Sequence, residues 1–157
     1  MKANEMVLTQ ERLKELLHYD HEIGIFTRGG VAAGSSRKGY VVIRADGKKY
    51  PAHHLAWLWM TGGLPSSEID HRNGVKADNK WRNLRSSTRS LNLQNQRCSR
   101  ADNRTGFLGV SRYVDRGFVA RIKLNGESRY LGTFSDARSA HAAYLQEKRR
   151  LHPACEI

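Results

Sequence analysis

At 157 residues, with 39% hydrophobic side chains, the chain is one ordinary domain or two very small ones with lean cores. Its 27 Lys and Arg against 15 Asp and Glu give a net charge of +12, which favours a polyanionic partner without choosing a fold. No apolar run reaches the roughly 18–20 residues a bilayer-spanning helix needs, residues 1–9 hold no signal-peptide core, and Cys98 and Cys155 alone make neither a disulfide framework nor a CxxC zinc knuckle. A reduced, cytoplasmic protein is expected, its metal, if any, held by oxygen and imidazole nitrogen.

In chain order, Thr9 to Leu17 predicts a short helix, with Thr9 as cap, Glu11 in the first turn, and Leu13, Leu16 and Leu17 on one face. Ile25–Thr27 and Tyr40–Ile43 read as strands on either side of a Gly/Ser-rich loop, Gly29 to Gly39, and Asp46-Gly47 turns the chain back towards Tyr50. His53 to Met60 predicts a buried helix ended by Gly62-Gly63. From His71 to Arg100 there are eight Lys or Arg and one acid, Asp78, a local +7. A polar linker, about Cys98 to Thr105, follows. Three strands are then expected, Gly109–Tyr113, Phe118–Leu124 and Ser128–Phe134, with an Asn125-Gly126 hairpin between the last two. A final helix, about Asp136 to Leu151, is expected to be capped by Ser135 and ended before Pro153.

The chemistry lies in the middle. Asp70 and His71 follow an apolar residue as at a strand end, Asn73-Gly74 favours a turn, and Thr88 to Gln96 has helical character with Asn92 on its inner face. A strand, a looped excursion and a helix packed back across them let Asp70 and Asn92 converge on one cation beside His71. A hard cation such as Mg²⁺ keeps several waters, so one carboxylate and one amide oxygen suffice from the protein; Mn²⁺ suits the same ligands. His71, neutral near pH 7, suits a general base for water attacking a phosphodiester.

Ile69 to Asn95, IDHRNGVKADNKWRNLRSSTRSLNLQN, resembles the HNH (ββα-metal) endonucleases, in particular the phage and intron-homing branch. His71 to Asn83 is a step of 12 and His71 to Asn92 a step of 21, as in that branch. The resemblance implies Asp70 and Asn92 as metal ligands, His71 as general base, Asn83 as a brace of the loop, and metal-dependent cleavage of double-stranded DNA by nicking or cutting both strands. His54 stands where an Arg is usual after His53. Trp57, Trp59 and Trp81 read as packing residues, Asn79 and Asn95 as structural, and His18, His21 and His141 as solvated or packed.

Residues 105–157 resemble the AP2 DNA-binding domain through Gly109-Val110, Phe118 to Ile122, Tyr130 to Phe134 and the Ala-rich helix near Tyr144. Alternation sends Phe118, Ala120 and Ile122 to the helix and Val119, Arg121 and Lys123 outward. The resemblance implies a DNA-facing sheet carrying Ser111, Tyr113, Arg121, Lys123, Ser128 and Tyr130, with Arg129 and, in the first half, Arg85 added to the DNA-binding set. Leu108, Ser111 and Tyr113 replace arginines usual in plant versions, so phosphate contact is expected more than base reading.

The expected fold class is therefore α+β: an HNH nuclease domain over 1–99, with its ββα-metal core at about 67–97, then an AP2-like domain over 105–157 with a three-stranded antiparallel sheet on one helix. The two halves carry +7 (16 basic, 9 acidic, residues 1–99) and +5 (11 and 6, residues 100–157), suiting one shared polyanion. No membrane and no small-molecule cofactor are expected; monomer and dimer stay open. The competing reading is a non-enzymatic DNA-binding regulator on a degenerate nuclease scaffold.

Overall fold

Helix α1 (Gln10–Leu16) starts where the Thr9 hydroxyl accepts from the Arg12 amide at 3.2 Å, and Leu13 on its inner face is fully buried. The computed structural model describes residues 8–99, 102–113 and 117–152. Residues 1–7, part of the expected linker (100–101), Pro153 and Cys155 lie outside these. The described chain is a mixed α and β protein of small antiparallel sheets and four α-helices. It divides into two compact units, residues 1–89 and 90–157. No helix among the described residues is long and apolar enough to cross a membrane.

In the first unit, β1 (His18–Asp20), β2 (Ile25–Arg28) and β3 (Val31–Ala32) form one sheet, and β4 (Ser35–Arg37), β5 (Tyr40–Ala45) and β6 (Lys48–Pro51) a second. The stretch expected as a Gly/Ser loop thus contains two strands, β3 and β4. Each is held by pairing to a longer neighbour, a tertiary cause that composition does not reveal. Helix α2 (Ala52–Thr61) ends at Gly62, whose left-handed φ of +82° lets its amide reach the Leu58 carbonyl at 3.0 Å. Leu55, Ala56 and Leu58 of α2 enter a core with Leu13, Leu17, Tyr19, Phe26 and Ile43. Tyr19 stacks on Phe26 with ring centroids 4.5 Å apart. This core fixes the platform on which a hairpin, β7 (Glu68–His71) and β8 (Leu84–Ser87), presents its connecting loop.

Gly24 shows how closely that loop is held. Its φ is +76°, and a Cβ there would sit 2.3 Å from the Lys80 amide nitrogen. The Tyr19 hydroxyl donates to the Asn79 carbonyl at 2.5 Å, and the Trp81 amide to the His21 carbonyl at 3.0 Å.

The second unit begins inside α3 (Arg89–Gln94), which is shorter than the helix expected over Thr88–Gln96. Beyond it, β9 (Val110–Tyr113), β10 (Gly117–Leu124) and β11 (Glu127–Phe134) form an antiparallel sheet with β10 central. Asn125 and Gly126 take positive φ, +52° and +91°, making the tight turn between β10 and β11. Helix α4 (Ala137–Leu151) packs Ala140 and Tyr144 against Val110, Ala120 and Ile122. Its cap is Asp136, which accepts from the Ser139 amide at 2.9 Å, one residue later than the expected Ser135. Gly109 has no room for a side chain, since a Cβ would lie 2.0 Å from the Tyr144 ring. Val119, expected to face outward, is only 4% exposed: at the centre of the middle strand, Ser111 and Thr133 flank it on both sides. Lys148, also buried, donates to the Gln96 carbonyl and ties the segment after α3 to α4.

Candidate active site

His71 ends β7 and pairs in register with Leu84, while Asp70 pairs with Arg85. Neighbouring strand residues leave on opposite faces. Ile69 and His71 therefore turn inward, 8% and 5% exposed, and Asp70 turns to the other side with Arg85.

The His71 ring is held by its surroundings. Its Nε2 lies 3.3 Å from Asn79 Oδ1, and the Asn79 amide group donates to the Ala77 carbonyl at 3.1 Å. With the amide so oriented, Oδ1 is the acceptor and Nε2 carries the proton, which makes Nδ1 the nitrogen with the basic lone pair. Burial pushes the His71 pKa down; the Asn79 hydrogen bond and the charges of Asp70 and Asp78 partly offset this. The ring is thus neutral at pH 7, the state a general base requires. Asn79, expected to be structural, is the residue that holds the His71 ring. Its 2% exposure is a tertiary fact, and its place eight residues after His71 gave no periodic signal.

The loop between β7 and β8 is laced by Asn83, at the end of a 3₁₀ turn (Trp81–Asn83). Asn83 Oδ1 accepts from the Asn73 amide at 3.0 Å, and Nδ2 donates to the Asp78 carbonyl at 2.7 Å. Its own carbonyl accepts from Arg72 at 2.8 Å. Asn73 adds an Asx turn to Val75 at 2.9 Å and a bond to the Asp78 carboxylate at 2.7 Å.

Asp70 Oδ2 accepts from Arg85 Nε at 3.0 Å and Nη2 at 2.7 Å, with the two side chains 12% and 18% exposed. Arg85, expected on DNA, makes this ion pair with Asp70. Among the described residues no three His, Cys, Asp or Glu side chains converge as a metal cage. The donor at the strand end is a single carboxylate, a hard oxygen ligand that fits Mg²⁺ or Mn²⁺ better than a metal preferring nitrogen or sulfur. Asn92 lies half-buried on α3, in the second unit.

Behind His71 stands a second buried histidine. His53 of α2 is 7% exposed, its ring centroid 5.0 Å from His71, 4.7 Å from His54 and 5.4 Å from Tyr40. Its Nδ1 has no hydrogen-bond partner among the described residues. Burial, with smaller contributions from His54 and His71, pushes its pKa down to about 3. An unfolded histidine takes up a proton near pH 6.5 that the folded protein refuses until about pH 3. The stability His53 contributes is therefore intact above pH 6.5 and drains away between 6.5 and 3, by on the order of 1.4 kcal/mol per pH unit. The Tm of the native chain should fall steeply from pH 7 to pH 5, and that of His53→Phe should fall less. Parallel curves would show that His53 is not the source.

In the second unit, Ser111, Tyr113, Arg121, Lys123, Ser128 and Tyr130 are all exposed and share the sheet face away from α4, as the pairings Arg121↔Tyr130 and Lys123↔Ser128 require. Arg129 does not join them. It pairs with the buried Ile122 and so projects to the helix side, towards Glu147 on α4, whose pKa is lowered chiefly by its Arg150 hydrogen bond and least by the Arg129 charge.

Against known proteins, no curated sequence and no solved structure matches the chain. Residues 50–94, which carry α2, the β7–β8 hairpin and α3, match the family model for HNH endonuclease, and this match supports a nuclease acting on DNA.

Proposed function

We propose that the chain is a divalent-metal-dependent DNA endonuclease with His71 as general base, of the phage or homing type. The observation that carries this is the end of β7: a neutral histidine whose tautomer Asn79 sets, next to a carboxylate on the opposite strand face. Hydrolysis of a phosphodiester needs attack and departure on opposite sides of phosphorus. His71 would serve the attacking side and Asp70, its neighbour at the strand end, the leaving side.

In this reading His71 Nδ1 takes a proton from water as the oxygen bonds to phosphorus, and the opposite P–O3′ bond breaks. Asp70 would supply a ligand to the cation, which when bound supplies Lewis-acid stabilisation of the leaving oxygen. Arg85 orients Asp70 and tempers its charge. Asn83 keeps the loop, and with it the Arg72 backbone next to His71, in place. Nicked or linear product from supercoiled plasmid with Mg²⁺ or Mn²⁺, and none with EDTA, is the test. Tight DNA binding without cleavage, on DNA containing the target, would favour a regulator instead.

The second unit, in this proposal an AP2-like domain, supplies a further grip on duplex DNA through Arg121, Lys123 and Tyr130. Two modest grips on one chain raise each other's effective concentration. Arg121→Gln/Lys123→Gln/Tyr130→Ala is expected to weaken duplex binding roughly 10-fold or more and to flatten its salt dependence by about two phosphate contacts, while metal-dependent cutting survives at high protein concentration. Unchanged affinity in an anisotropy titration would remove this face from the binding surface.

A further inference from the structure

Apart from the candidate active site, the first unit has a cleft of about 470 Å³ where β2 and β3 meet β4, β5 and β6. Its floor is apolar, formed by Ala33, Val42 and Ile43, and its wall carries Arg28, Arg44 and Lys49. We propose that this cleft seats the phosphate backbone of duplex DNA. The proposal rests on the DNA-cleaving reading and adds to it a third contact region, outside both the β7–β8 hairpin and the C-terminal sheet.

Three observations converge. Arg44 and Lys49 are direct cross-strand partners on β5 and β6, so two like charges stand opposite each other, an arrangement unfavourable by itself that an anion between them relieves. Arg28 Nη2 donates to the Arg44 carbonyl at 2.6 Å, which uses one of five guanidinium donors and holds the third cation at the same place. Among the described residues none of the three is paired with an acid. Residues 25–51 contain six Lys or Arg and only one acid, Asp46, which Arg12 of α1 already grips with two bonds of 3.0 Å. The internal counter-ion is thus taken, and the apolar floor lowers the local dielectric, strengthening the attraction for an outside anion. A row of cations on a β-ribbon suits a repeating phosphate chain better than one small anion, and Val31, 71% exposed at the rim, gives an apolar surface for a sugar.

The test is the binding of a fluorescein-labelled duplex to the full chain in EDTA, where cleavage is silent, across a salt series. Each phosphate contact contributes about 0.9 to the slope of log affinity against log salt. Arg28→Gln/Arg44→Gln/Lys49→Gln should lower that slope by about 2–3. A charge-matched control at exposed helix positions, Lys14→Gln/Arg138→Gln/Arg150→Gln, should lower it by less than about 1. Lys49→Gln alone, a change at an exposed edge that leaves the fold intact, should lower it by about 0.9. An unchanged slope in the cleft variants, or an equal loss in the control, overturns the cleft as a phosphate seat while the nuclease reading stands. Absence of any DNA binding by the native chain would overturn both.

Discussion

His71→Ala is expected to lose metal-dependent plasmid cleavage by roughly 10²–10⁴-fold, the range that a positioned general base contributes, while duplex affinity in EDTA stays within about twofold. The large effect on rate follows from three features of this ring. Burial keeps it neutral at pH 7, the form a general base needs. Asn79 fixes the proton on Nε2, so the ring needs no tautomer change before accepting a proton on Nδ1. The pairing with Leu84 at the end of β7 sets the direction of the side chain without help from substrate. The small effect on binding follows from the distribution of charge: the cations proposed to contact DNA are other residues, and a neutral buried ring contributes little to phosphate affinity. Cleavage is measured as nicked product per unit time with Mg²⁺ and with Mn²⁺. Cutting by the variant at the native rate in either metal would place the base on another residue. Equal loss of cutting and binding would mean that the substitution had disturbed the fold, which a Tm comparison detects.

Much of this arrangement was legible in the sequence, for identifiable reasons. Helices α1, α2 and α4 follow from apolar spacing, with Thr9 starting α1 and Gly62 ending α2, and the β10–β11 hairpin from Asn125-Gly126, because these signals are local. Asp70 and His71 were visible because the residue types and their position after Ile69 are themselves chemical statements. What escaped was set by tertiary pairing. β1, β3 and β4 have three, two and three residues and acquire strand form only beside longer partners. Asn79 reads as one more polar loop residue until the loop is folded against Tyr19 and Gly24. The directions of Arg85 and Arg129 are also not legible in their charge. Their directions come from register, which turns one onto Asp70 and the other to the helix side of the sheet. Charge is legible in sequence; its direction is a property of the sheet.

Asn83→Asp replaces a single atom group and is expected to destabilise the first unit by about 2–4 kcal/mol, the cost of unsatisfying buried polar groups and opposing two acceptors. Asn83 uses both ends of its amide: Oδ1 accepts from Asn73 and Nδ2 donates to the Asp78 carbonyl. Aspartate preserves the first contact but turns an oxygen towards an oxygen at the second, at a position 7% exposed. In a unit of this size that is a fall in Tm of roughly 10 °C or more. The pH dependence separates this account from general loosening. A protonated carboxyl can donate to the Asp78 carbonyl as the amide does, so the folded form holds its proton more tightly than the unfolded chain, whose carboxyl titrates near 3.9. The folded pKa of the new carboxyl is therefore raised. The deficit relative to the native chain is full above that raised pKa and shrinks as pH falls through it. Subtracting the native curve removes the acid loss caused by the buried histidines, which both proteins share. A Tm gap that narrows between about pH 7 and pH 5 is the expected result. A gap independent of pH would mean that the bond to Asp78 is not what the loop depends on, and that Asn83 acts through its contact with Asn73 alone.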